Sequence, residues 1–337
     1  MPLSYGDDLV RNAIQLAGVH AVIFLVTLWA ILSLNFLIPR LMPGDPALFL
    51  LGGDIETADP AVVETLRERY GLNKSISTQY VTYWRNLLRG DLGYSLQRRQ
   101  NVSEAIGDKL PWTLLLGGTS LLLATILGVG FGAWCTWRGR SFEATGLGLA
   151  IGLNAMPAFW VGILLLANFA SRPGGLPSYG AYTPWESFAP FSLGWLRDVG
   201  RHLALPVTTL TLALIGDITL ITNAALRDVM PEPYLTTARG KGLRARTVLT
   251  RHALRNAMLP LVARIGLMAG LMFGGSTLVE SVFSYPGIGL MLYDAVTARD
   301  FPLLQGGLLV IVLAVLIANA AADLLYRLLD PRVRVGV

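Results

Sequence analysis

The chain has 337 residues, of which 53% are hydrophobic and only 15% charged, with a net charge of +5. An ordinary soluble domain is roughly 25% charged, so this composition excludes a water-soluble globule, a disordered chain and a coiled coil. A single cysteine, Cys135, excludes a disulfide framework, and His20, His202 and His252 lie too far apart for metal-ligand spacing. What remains is an integral membrane protein.

A helix needs about 20 apolar residues to cross a hydrocarbon core of roughly 30 Å. Six stretches meet that length, at about 16–38, 113–137, 144–170, 203–226, 258–282 and 303–326. Backbone groups in lipid must bond internally, so all six are predicted as helices, each read as one continuous span. The first is too long for a signal-peptide core and has no small-residue cleavage site. The organisation expected is an N-terminus and first span (1–39), a helical extracytoplasmic loop (40–112), and a core of five further spans (113–337).

Lysines and arginines set the orientation. With both termini cytoplasmic, the inner segments hold thirteen basic residues and the short outer loops four. The long loop 40–112 is exempt, and its nine basic and nine acidic residues balance. Within it, Asp59-Pro60 reads as an N-cap and first helical residue, with Gly71 as the stop. Tyr80, Tyr83, Trp84 and Leu87 recur at helical spacing over 75–89, and Gly90 ends that run. This cap either shields helix ends, contacts a delivery protein or closes over a solute path.

The segment 227–257 carries seven of the 27 basic residues. Pro231 and Pro233 punctuate its entry, Glu232 puts negative charge at a helix start, and Gly240 and Gly242 permit a turn. A basic anchor on anionic lipid explains the charge. It does not explain glycines alternating with basic residues, a pattern suited to a helix–Gly–helix knob that docks in another protein. The chain has no G-x-x-x-x-G-K-[ST] phosphate loop, no H-E-x-x-H and no G-x-S-x-G. Nothing supports a catalytic centre or a resident cofactor here.

Tyr234…Thr237-Ala238-Arg239-Gly240-Lys241-Gly242-Leu243, followed by His252-Ala-Leu-Arg-Asn-Ala-Met-Leu-Pro260, resembles the cytoplasmic coupling loop of ABC-importer permeases of the dipeptide/oligopeptide/nickel type. Further tags fall in order along the chain: Met42-Pro-Gly-Asp-Pro46, Arg89-Gly-Asp-Leu-Gly93 with Ser95, Met156-Pro157, His202-Leu-Ala-Leu-Pro206, Val279 to Gly289, Arg299-Asp-Phe-Pro302 with Gln305-Gly306, and Asp323-Leu-Leu-Tyr326 with Asp330-Pro-Arg332. The resemblance implies an all-α, six-helix type I importer permease fold in a bacterial inner membrane. It implies a second related permease subunit, two ABC ATPase subunits carrying ATP and Mg, and an extracytoplasmic binding protein. Tyr234, Thr237, Ala238, Arg239, Lys241, Gly242, Leu243 and His252 would form the ATPase-coupling site. Arg239 and Lys241 would bond to carbonyls or acids in the ATPase cleft, and Gly242 would let the backbone approach it closely.

Two departures stand out. Thr236-Thr237-Ala238 replaces the Glu-Ala-Ala that opens the coupling motif elsewhere, and an arginine often found near position 223 is replaced by Asn223. Charges within the spans usually face a bundle interior or water. Asp217 is the leading candidate for a solute path, with an ion pair to Arg264 or to the partner permease as its competing role. Asn223 and Glu280 are further path candidates, and the place of Glu280 near the outer end of its span favours a gate or structural role over solute binding. Peptides, glutathione-like peptides, nickel chelates and glycosides all fit such a permease. An ion-driven secondary transporter would need inverted repeats, and none is visible. The net charge gathers on the cytoplasmic face, facing membrane lipid and protein rather than nucleic acid.

Overall fold

The computed structural model describes residues 4–41, 60–69, 71, 73–95, 97–172, 174–185 and 189–329. The Met42–Pro46 and Asp330–Arg332 motifs, and Asp59, lie outside them. The described chain is almost wholly helical: α1 (Ser4–Leu41), α2 (Pro60–Arg69), α3 (Ile76–Leu88), α4 (Val102–Arg138), α5 (Arg140–Ala155), α6 (Ala158–Leu165), α7 (Leu193–Val229), α8 (Pro233–Gly240), α9 (Leu254–Val282), α10 (Ile288–Thr297) and α11 (Phe301–Leu329). One two-stranded hairpin joins Tyr94–Ser95 to Gln100–Asn101.

Among the described residues, four helices are long and apolar enough to cross a membrane: Val102–Arg138, Leu193–Val229, Ala245–Val282 and Phe301–Ala322. The bent pair Ser141–Ala155 and Ala158–Ala170 makes a fifth if counted as one span, and Val22–Leu37 of α1 is a shorter apolar stretch. The span expected at 144–170 is therefore not one continuous helix, because it turns by 92° at Met156–Pro157. Pro157 has no N–H and its ring disfavours a helical residue before it. Met156 is accordingly extended, at φ −82° and ψ 128°.

The chain divides into two compact units. One takes described residues from Met1–Leu110 and Met291–Leu316. Here α3 starts at Ser75, whose side chain accepts a hydrogen bond from the Thr78 N–H, and its aromatic face packs on α1. Phe36 meets Tyr80 and Tyr83 at centroid distances of 5.2 and 5.4 Å, and the Ser33 and Tyr80 hydroxyls are 2.6 Å apart. Two motifs about 200 residues apart also meet. Ser95 of the hairpin donates to the Asp300 carboxylate, which also caps α11 by accepting from the Leu303 N–H.

The other unit takes described residues from Pro111–Leu290 and Ile317–Pro331. Small residues let its helices approach closely. A Cβ on Gly132 of α4 would lie 2.8 Å from the Thr219 carbonyl oxygen of α7, and one on Gly216 of α7 would strike the Ala150 carbonyl of α5. Leu116, Leu205, Leu210, Val279, Phe283 and Tyr285 close one core, and Ala124, Ile218 and Met268 close another. Large apolar side chains such as Leu122, Ile126 and Ile151 remain exposed along the helices, as a surface in contact with lipid requires.

Candidate coupling loop and polar sites within the spans

The segment expected to couple to an ATPase is a short helix bolted down by its inner face. α7 ends at Val229, and α8 begins with Pro233, whose missing N–H and fixed φ suit a first helical position. Leu235 and Ala238, three residues apart, point inward and are buried against Leu226, Val248, Leu249, Ala253, Ala257 and Leu261. Burying one leucine is worth about 1.5–3 kcal/mol, enough to fix so short a helix to the ends of α7 and α9. The Tyr234 hydroxyl accepts a 2.6 Å hydrogen bond from Asn256 of α9, a second tie.

The exit from α8 follows one geometric rule. The Gly242 N–H bonds the Arg239 carbonyl at 2.9 Å, the Leu243 N–H bonds the Ala238 carbonyl at 3.4 Å, and Gly242 sits at φ +78°. This is a Schellman stop, in which the residue after the cap must be left-handed. Gly240 is the last residue of the helix and Gly242 alone makes the turn. A single helical turn (Ala245–Thr247) and a π-type stretch (Val248–Ala253) then lead into α9. Seven of the eight predicted coupling residues are brought together on this knob with outward-facing surface. Tyr234, Thr237, Arg239, Lys241, Gly242 and Leu243 are exposed, and His252 is half-buried on the π stretch. The eighth, Ala238, faces inward and serves as an anchor.

The three predicted path residues do not form one site. Asn223 is buried, and its amide donates to Thr136 at 2.9 Å and to Glu143 at 2.6 Å. Arg227, one turn on, grips both Glu143 oxygens, its Nε and Nη2 each donating at 2.7 Å. Glu143, Asn223, Arg227 and Thr136 together clasp α4, α5 and α7 just before the coupling helix. Composition gave no hint of this clasp; an acid beginning one span and an arginine ending another was the available signal.

Glu280 is fully buried within the subunit. Its carboxylate accepts from the Thr113 hydroxyl at 2.9 Å, the Ser276 hydroxyl at 3.1 Å and the Leu290 N–H at 3.0 Å. Thr113 in turn accepts from the Ile288 N–H at 2.8 Å. A Cβ on Gly287 would collide with the carboxylate, and one on Gly289 would come within 2.9 Å of it. The Val279–Gly289 motif is therefore a backbone turn wrapped around an acid.

Asp217 keeps an ion pair with Arg264. The Arg264 Nε and Nη2 both donate to a single oxygen, Oδ2, at 2.9 and 2.7 Å. The side chains are 20% and 43% exposed in the subunit. A charge at mid-bilayer costs on the order of 2.5–3.5 kcal/mol on insertion scales, so this face is set against water or protein rather than acyl chains.

Comparison with known proteins agrees with this architecture. A chain of the MetNI methionine ABC transporter superposes with a TM-score of 0.54 at 15% identity, covering 68% of this chain and 97% of that one, which shows the type I importer permease fold. Residues 124–335 match the family described as binding-protein-dependent transport system inner membrane component, and residues 14–117 match its N-terminal counterpart. The glutathione transport system permease protein GsiC of Salmonella typhimurium is 36% identical over 309 residues, covering 91% of this chain and 95% of its own length. The protein of that name in Escherichia coli K12 is 35% identical over the same span. The fold and these matches define an ABC importer permease, a multi-pass membrane subunit that is not itself catalytic. The chain belongs to the family of binding-protein-dependent transport inner membrane components.

Proposed function

We propose that this subunit forms half of the path of a peptide importer and receives the ATPase stroke on the knob 232–251. The observation that carries the reading is the helix α8 itself, anchored through Leu235 and Ala238 while Arg239, Lys241 and Leu243 stand exposed. Two ABC ATPase subunits, holding ATP and Mg, would seat the knob of this chain and that of a second permease. Their closure would favour one of two transporter states, with α7 and α9 as levers. Six spans with both termini cytoplasmic complete the arrangement, supported by the apolar stretch of α1, the bent pair and the bias of basic residues. Helices α2 and α3 would then cap the extracytoplasmic face, where a binding protein delivers solute. Asp217 lines the path.

The glutathione permeases among the relatives support small peptides, glutathione included, as cargo. Nickel chelates and glycosides remain the competing cargoes for this fold. The test is reconstitution of the complete transporter in proteoliposomes with its binding protein, reading uptake of reduced glutathione and of the dipeptide Gly-Leu. Uptake dependent on both ATP and binding protein is expected. Uptake driven by an ion gradient without ATP would replace the reading with a secondary transporter.

A further inference from the structure

Asp217 and Arg264 are the only charged residues within 203–226 and 258–279, the central parts of α7 and α9. Their pairing is incomplete. Both bonds from Arg264 converge on Asp217 Oδ2. Among the described residues, no hydrogen bond engages Asp217 Oδ1 or Arg264 Nη1. Among the described residues, one acceptor and one donor of opposite charge are thus left over at the pair. They are also accessible: Arg264 lies on an exposed stripe with Leu267 and Leu271 of α9, and Asp217 on a half-exposed strip with Ala213 and Leu220 of α7. Apart from this pair, the stripes are apolar.

We propose that the Asp217–Arg264 pair is a solute-binding site on the translocation path for zwitterions, molecules with a free ammonium and a free carboxylate. The ammonium would take Asp217 Oδ1 and the carboxylate would take Arg264 Nη1, in the manner of charge-assisted hydrogen bonds. In the empty subunit each charge neutralises the other, so neither stands alone between the spans. A zwitterion replaces that mutual neutralisation with its own two ends, whereas a solute with one blocked end leaves one side chain short of a partner. The inference rests on the reading of Asp217 as path-lining and adds Arg264 and the class of cargo.

The experiment uses the complete reconstituted transporter carrying Asp217→Asn with Arg264→Gln, a neutral pair of nearly unchanged shape that leaves no lone charge. Gly-Leu and reduced glutathione are the probes, and assembly and binding-protein-stimulated ATP hydrolysis are read alongside uptake. The double variant should assemble normally and hydrolyse ATP when stimulated, yet take up both probes about tenfold more slowly, because two charge-assisted contacts are lost while the internal ion pair no longer has to be given up. N-acetyl-Gly-Leu-amide, where the binding protein accepts it, should show no such gap between wild type and variant. Unchanged uptake of both zwitterions overturns the site alone. Loss of assembly in the double variant also overturns it, marking the pair as a contact between permease subunits. If the wild-type transporter takes up neither zwitterion, the peptide reading and this site fall together.

Discussion

Glu280 and Asp217 are both acids on membrane-spanning helices, but their surroundings differ in kind. Glu280 accepts three hydrogen bonds and is fully enclosed, with Gly287 and Gly289 making room for its oxygens. Asp217 is partly exposed and uses one oxygen only. Glu143 is nearer to Glu280 in character, with both oxygens engaged by Arg227 and one shared with Asn223. A buried acid whose acceptors are all taken is part of the frame, because any change of partner leaves groups unpaired. An acid with an accessible oxygen to spare can exchange partners.

The sharpest way to break this distinction is Glu280→Ala. It orphans the Thr113 and Ser276 hydroxyls and the Leu290 N–H, and should cost about 4 kcal/mol of stability. A thermal unfolding midpoint in detergent would show it, while Asp217→Asn in the same assay should cost about 1 kcal/mol or less. Equal losses would erase the contrast. Glu143→Leu comes next, at about 2 kcal/mol, since Arg227 is largely exposed and rehydrates. Adding Arg227→Met should then cost little more, and additive losses would show that the two residues act separately.

The two coupling-loop glycines give the smallest effects, of opposite sign. Gly242→Ala forces a left-handed alanine and should cost about 1–2 kcal/mol. Gly240→Ala lies in the helix with open space at its Cβ and should add about 0.5–1 kcal/mol. The same unfolding assay reads both, and the same sign for both would contradict the Schellman geometry.

Much of this fold is legible in the residues. Apolar length alone marks α4, α7, α9 and α11, since no other structure satisfies so long a run in lipid. Aromatic spacing marks α3, where Tyr80, Tyr83, Trp84 and Leu87 recur at helical intervals and Gly90 ends the run. The bend at Met156–Pro157 was visible as a motif, yet apolar length bridged it. Length measures transfer into lipid and says nothing of direction. Helix α10, between two spans, was missed because its ten residues are too few to cross and carry no strong caps. The short helix α8 and its exposed face were legible because they are written in consecutive residues. The acid clasps were not: Thr113 and Glu280, or Glu143 and Arg227, are distant in sequence and meet only through packing. A charge within a span says that it needs a partner, but not which partner, nor whether any of its bonding capacity is left over.

The claim on which the account depends is that the exposed face of α8 receives the force of ATP hydrolysis. Arg239 is the cleanest probe, because it is exposed at the end of α8 and, among the described residues, makes only a long contact to the Met230 sulfur at 3.8 Å. The decisive measurement is uptake and binding-protein-stimulated ATP hydrolysis by the complete transporter carrying Arg239→Glu, with the amount of subunit in the membrane as control. The account predicts normal membrane insertion with uptake and stimulated hydrolysis both abolished. Wild-type uptake by this variant would contradict it.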